Sequence, residues 1–190
     1  MKLSKPVLLL TALLLSQPSS AREISGIKIP DSTKLAGQEL VLNGGGIRTK
    51  FVFDIYIGAL YLGTKTNDAK TAIGMPGPKR VLMHFLYDEV EKEKLTAGWT
   101  KGFENNLTEK EFIALKPRLM EFNALFSDAK EGDEVMLDYL PDKGTMVSIN
   151  KQQKGAVAGE DFNHALLKVW LGDDPADGIL KEGMLGNYDG

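Results

Sequence analysis

The sequence contains no cysteine. That excludes a disulfide, a thiolate metal site, a cysteine nucleophile and a lipid anchor built on a cysteine. Histidine is nearly as scarce. His84 falls in a strand-like run and His164 in a late helical run, with no ligand spacing between them, so no metal is expected. Basic charge is in slight deficit: 23 Lys and Arg stand against 26 Asp and Glu, a formal net charge of −3. Net attraction to nucleic acid or to an anionic membrane surface is therefore not expected. No serine has a nucleophile-elbow context, and no cofactor-binding fingerprint occurs. The acidic run around Asp173, Asp174 and Asp177 is no calcium loop, because Pro175 takes its third position and no glutamate its twelfth.

What is present begins with a leader. Lys2 and Lys5 make a basic start, Val7 to Leu15 is an apolar stretch too short to span a bilayer, and Ser19-Ser20-Ala21 is a small-residue cleavage site. Residues 1–21 read as a signal peptide and 22–190 as one domain, periplasmic or secreted after cleavage.

The domain reads first as strands. Ile24 to Ile29 suggests an edge strand, and Gln38 to Asn43 and Phe51 to Leu62 two long ones, joined by a turn through Gly44-Gly45-Gly46 and Arg48. The glycines lack phosphate-loop spacing and precede a strand, so they offer no helix N-terminus to a phosphate. Asp68 to Ile73 suggests a short helix and Arg80 to Tyr87 a strand. Leu95, Trp99 and Phe103 recur every four residues within an amphipathic helix over Val90 to Leu107. Thr108 with Glu111 makes a capping box for the next helix, which Pro117 should kink or break. Glu134 to Leu140 and Gly144 to Asn150 form a hairpin, Gly155 to Gly159 a further short strand, and Asp161 to Leu171 a helix capped by Gly172. A small helix follows Pro175. This order predicts an α+β domain: an antiparallel sheet with helices packed on one face.

Four residues carry candidate chemistry. Arg48 is either a surface cation at a strand start or a guanidinium in a covered space, where it needs an anion. Tyr56 follows on the second long strand. Trp99 and Asn106 share a helix face with Phe103; Asn106 is either a helix-ending amide bonded to backbone or a polar group facing a cleft.

Together the segments L-N-G-G-G-I-R, F-D-I-Y-I-G-A-L-Y-L, W-T-K-G-F-E-N-N-L, E-F-N-A-L-F, L-D-Y-L-P and A-L-L-K-V-W-L-G-D-D-P-A-D resemble the chalcone isomerase-like family, most of all its bacterial exported branch. The resemblance runs from about Ile24 to Gly186. It implies the open-faced β-sandwich of chalcone isomerase, with a cleft between sheet and helices. It also implies a site. The family's arginine is matched by Arg48 and its helix asparagine by Asn106. Its strand threonine, helix tyrosine and late hydroxyl residue fall at Tyr56, Trp99 and Val169. Loss of those hydroxyls removes donors that an isomerase aims at a developing enolate. The family's non-catalytic fatty-acid-binding members use an arginine and a strand tyrosine for the carboxylate, a pair that Arg48 and Tyr56 resemble. An arginine fork suits a carboxylate bidentately. The resemblance therefore implies a binder of a small apolar anion such as a fatty acid, without cofactor, metal or nucleic acid. The alternatives are an isomerase acting on a flavonoid-like substrate and an accessory protein acting through a protein partner.

Cleavage after Ala21 is the first testable outcome. N-terminal sequencing of the exported protein should begin at Arg22; an intact Met1 in an exported, membrane-bound form contradicts the leader.

Overall fold

The computed structural model describes residues 21–188. The expected leader, save Ala21, lies outside the described residues. The described residues open with a hairpin of β1 (Ala21–Ile24) and β2 (Ile27–Pro30), followed by β3 (Ser32–Leu35). The long strands β4 (Gln38–Lys50) and β5 (Phe53–Leu62) come next, then α1 (Ala69–Gly74), whose N-cap Asp68 accepts from the Thr71 N–H. After β6 (Lys79–Phe85) and β7 (Glu89–Val90) the chain turns helical, in α2 (Lys92–Asn106) and α3 (Glu109–Ala124). Then come β8 (Ala129–Lys130), which pairs with β7, and the meander β9 (Glu134–Leu140), β10 (Gly144–Ile149) and β11 (Gln152–Val157). Helices α4 (Glu160–Leu171) and α5 (Gly178–Met184) end it.

Seven strands form one antiparallel sheet in the order β11-β10-β9-β6-β5-β4-β3. The expected α+β architecture is what the structure shows. β5 is buried on both faces from Tyr56 to Leu62, so it lacks the alternation of a half-exposed strand. One face, through Tyr56, Leu60 and Leu62, joins the main core with the helices. The other, through Ile57, Ala59 and Tyr61, lies under Ile27 and Ile29 of the β1–β2 hairpin. The Tyr61 hydroxyl donates to the Pro30 carbonyl at 2.9 Å and fastens that cover.

The run Ile24 to Ile29 is not one edge strand but the hairpin of β1 and β2, turning at Ser25 and Gly26. Two further expectations need correction. The glycine run is not a turn: β4 continues through it to Lys50, and the chain reverses at Phe51 and Val52. The glycines serve a close approach. A Cβ on Gly44 would collide with the Gly183 carbonyl oxygen of α5, and one on Gly183 would come to 2.8 Å from the Gly45 carbonyl oxygen. Helix α5 thus lies backbone against backbone on the strand. The second concerns Pro117: of the kink or break expected there, the break does not occur, and α3 runs through it. The carbonyl it leaves without a helical partner belongs to Ile113, a residue 62% exposed, where water can take the place of the missing N–H. The capping box of α3 forms as expected, with Thr108 and Glu111 bonded reciprocally.

The close approach predicts a contrast between neighbouring glycines. Gly44→Ala must push α5 away, and overpacking of this kind costs about 1–3 kcal/mol or more. Gly46→Ala would meet Leu180 Cδ1 at 3.6 Å, an ordinary contact, and should change stability by less than about 1 kcal/mol. Denaturant midpoints of the two variants measure the difference.

Candidate functional site

The site grows from one cross-strand pair. Arg48 near the end of β4 and Tyr56 on β5 are direct partners across the ladder. Immediately beyond them the register shifts: Thr49 pairs with Asp54, leaving Ile55 as the extra residue of a bulge. The bulge accounts for two consecutive residues, Ile55 and Tyr56, facing one cleft.

That cleft has a volume of about 590 Å³. Its sheet wall comes from Tyr56 and Phe85, extended by Tyr87 just past β6, its helix wall from Leu95, Gly98 and Gly102 of α2, and one end from Asp174 to Ala176. Glycine makes the helix wall in two different ways. A Cβ on Gly102 would press to 2.8 Å from the Val169 methyls, so this glycine lets α2 close on α4. A Cβ on Gly98 would meet nothing within 4 Å, so this one leaves open space.

Tyr56 is fully buried. Its Oη accepts a hydrogen bond from Trp170 Nε1 at 2.9 Å. Burial pushes the phenol above its ordinary range, outweighing the opposing pull of Arg48 and of the Trp170 bond. The phenol therefore stays neutral and retains its proton as a donor. Arg48 holds its guanidinium carbon 5.7 Å from the centre of the Tyr56 ring, a cation–π distance. Its Nε is buried without a hydrogen-bond partner. Among the described residues Arg48 forms no ion pair. The two carboxylates that bond Thr49, the residue after Arg48, are thereby engaged: Asp54 accepts from the Thr49 hydroxyl at 2.9 Å, and Asp177 from the Thr49 N–H at 3.1 Å and the Leu180 N–H at 2.9 Å.

The structure brings together only part of the expected constellation. Arg48 and Tyr56 line the cleft; Trp99, Asn106 and Val169 do not. Trp99 packs into the core against Phe122, Phe126 and Trp170, at 5.4–5.7 Å between rings. Val169 packs on Gly102. Asn106 is bonded to backbone: Nδ2 donates to the Gly102 and Asp174 carbonyls at 2.9 and 2.8 Å, and Oδ1 accepts the Asp174 N–H at 3.0 Å. It clasps the loop after α4 to the end of α2. The residue that reaches Tyr56 from α4 is Trp170, one position beyond Val169, which sequence reasoning missed. Because α4 is buried nearly all round, its pattern gives no single inward face. Gly98 and Gly102 were missed too. Two glycines four apart in a helical run were the available signal.

Residues 21–186 match the family described as chalcone isomerase-like. The chain belongs to that family. Among solved structures, the fold is similar to that of the fatty-acid binding protein AtFAP1 of Arabidopsis thaliana, with a TM-score of 0.71. The likeness covers 89% of this chain and 96% of that one at 16% sequence identity, and so concerns the fold. No curated protein matches the sequence. Within this chalcone isomerase-like chain the cleft offers the Arg48 guanidinium and the neutral Tyr56 donor side by side, with Lys50, Lys94 and Lys101 among its other lining residues. That combination can hold and orient an anionic head.

Asn106 provides a test of clasp against ligand contact. Asn106→Ala removes three hydrogen bonds to backbone and should lower stability by about 1–3 kcal/mol, read as a fall in the chemical denaturation midpoint without ligand. Unchanged stability would return Asn106 to the list of candidate ligand contacts.

Proposed function

We propose that this protein is a non-catalytic binder of a fatty acid or a similar small apolar anion, exported to the periplasm or beyond. One observation carries the reading: a buried guanidinium nitrogen without a partner, beside a neutral phenol, at the base of an apolar cleft. Arg48 is half-buried, so its orphaned Nε carries a desolvation cost that an incoming carboxylate relieves, while the cleft takes the chain behind it. The cleft volume lies within the range of about 300–1,000 Å³ usual for small-molecule sites. The similarity in fold to a fatty-acid binding protein supports the same ligand class. The leader-like residues 1–21 support export, and with it membership of the bacterial exported branch. An isomerase needs several donors around an enolate oxygen. Trp99, Asn106 and Val169 stand outside the cleft wall, so the binder reading is preferred.

Calorimetry with palmitate or oleate below the micellar range tests it. Hydrogen bonds to charged groups contribute about 1.5–3 kcal/mol, so Arg48→Ala should weaken binding by about tenfold to a hundredfold. Arg48→Lys should recover part, since an ammonium lacks the planar fork. Methyl esters should bind the wild type more weakly than the acids. Gly98→Phe, placed in open space, should block binding without unfolding the protein. Equal affinity for acid and ester, or an unaffected Arg48→Ala, would make Arg48 structural and remove the carboxylate site.

A further inference from the structure

The hairpin between β4 and β5 ends in Lys50, Phe51, Val52 and Phe53. Phe51 is 89% exposed, Val52 84% and Phe53 50%. Tight hairpin turns favour Gly, Asn and Asp, which are polar or accept a left-handed backbone. Here Phe51 holds φ at 58°, a left-handed position that a bulky side chain adopts at a cost. The tip thus exposes apolar surface and strains its backbone together. Phe53 meets Tyr87 edge-on at 5.4 Å, but the exposure of Phe51 and Val52 leaves most of their surface to solvent.

The tip adjoins the candidate site. Phe51 and Phe53 border the cleft, with Lys50, Lys94 and Lys101 against Glu89 and Asp174 around them. Lys94 also pairs with Glu91 at 3.1 Å. Ammonium groups outnumber carboxylates along this border, the reverse of the balance over the whole chain.

We infer that the Phe51–Phe53 tip inserts into a phospholipid bilayer, and that the cleft exchanges its ligand with that membrane. The inference rests on the fatty-acid reading of the cleft. A lipid surface suits the arrangement. Aromatic and aliphatic tips enter the boundary between headgroups and acyl chains, and the neighbouring lysines meet the phosphate that every phospholipid carries. Tyr87 behind the tip is a residue type favoured at that depth. A fatty acid leaving the bilayer would then pass from lipid to cleft without crossing water.

The test uses protein purified free of any form that retains Met1. Flotation with phosphatidylcholine/phosphatidylglycerol vesicles is compared for wild type, Val52→Asp and Arg48→Ala. Val52 does not line the cleft, so Val52→Asp should bind oleate in solution as the wild type does. Its vesicle partitioning should fall at least about tenfold, the scale of one apolar side chain. Transfer of a fluorescent fatty acid from vesicles should slow in parallel. Arg48→Ala should keep vesicle binding and lose oleate. Should Arg48→Ala keep oleate while Val52→Asp loses vesicles, the carboxylate site fails and the docking surface stands. Failure of the wild type to float, or equal flotation of Val52→Asp, overturns the inference. So does a concentration-dependent dimer abolished by Val52→Asp without flotation, which would make the tip a contact between copies of this chain.

Discussion

The contact of α5 with the glycine run of β4 positions the cationic end of the cleft. Gly44 and Gly183 bring strand and helix together without side chains between them. Side chains then fasten the approach at both ends. Asn43 donates to the Met184 carbonyl at 2.7 Å at one end, and Asp177 receives the Thr49 N–H at the other. Leu180 sits between, over Gly46 and Gly58. A helix of seven residues has little stability of its own. Its docking holds β4 in line as far as Arg48, and Asp177 is fixed as part of that docking. The carboxylate closest in role to a counter-ion for Arg48 is thereby committed to backbone.

That commitment explains how an arginine can remain unpaired in a folded protein. Asp54 and Asp177 both accept bonds from Thr49, the residue after Arg48, so they lower the local potential without forming an ion pair. The face of Tyr56 supplies a further attraction. These weak terms hold the guanidinium in place while its Nε stays open. Trp170 completes the arrangement from behind. By occupying an acceptor site on the Tyr56 oxygen, it leaves the phenol proton directed elsewhere. The polarity of the site is therefore set in part by a core helix, which packs directly on the strand next to the one that carries the arginine.

The parts of this fold legible in the sequence were those with local causes. The Thr108–Glu111 capping box, the Leu95-Trp99-Phe103 repeat and the Pro141–Gly144 hairpin are short-range signals, and each forms where expected. Arg48 was legible as a charge beside a strongly apolar strand, while its pairing with Tyr56 came from the family resemblance; the strand register makes the two direct neighbours. The glycine run misled because its cause is distant. Nothing within Gly44–Gly46 distinguishes a turn from a strand on which a helix 140 residues later lies flush. The same limit governs Val169 and Trp170. A helix buried almost all round has no period that says which residue meets the sheet.

The cleft itself follows from a subtraction. Helix α2 is not held away from the sheet: Leu95, Trp99 and Phe103 are all buried in the core, and Gly102 draws the helix onto Val169. Gly98, on the turn between Leu95 and Gly102, adds to the space of the cleft by carrying no side chain. A glycine in a helix interior costs up to about 1 kcal/mol relative to alanine, and nothing within 4 Å of its missing Cβ requires it. Gly102 has a packing reason and Gly98 has none. A position that gives up helix stability without improving packing is better understood through what it leaves empty. Tyr56 lines the same cleft, and its hydroxyl proton is the donor that the Trp170 bond leaves free.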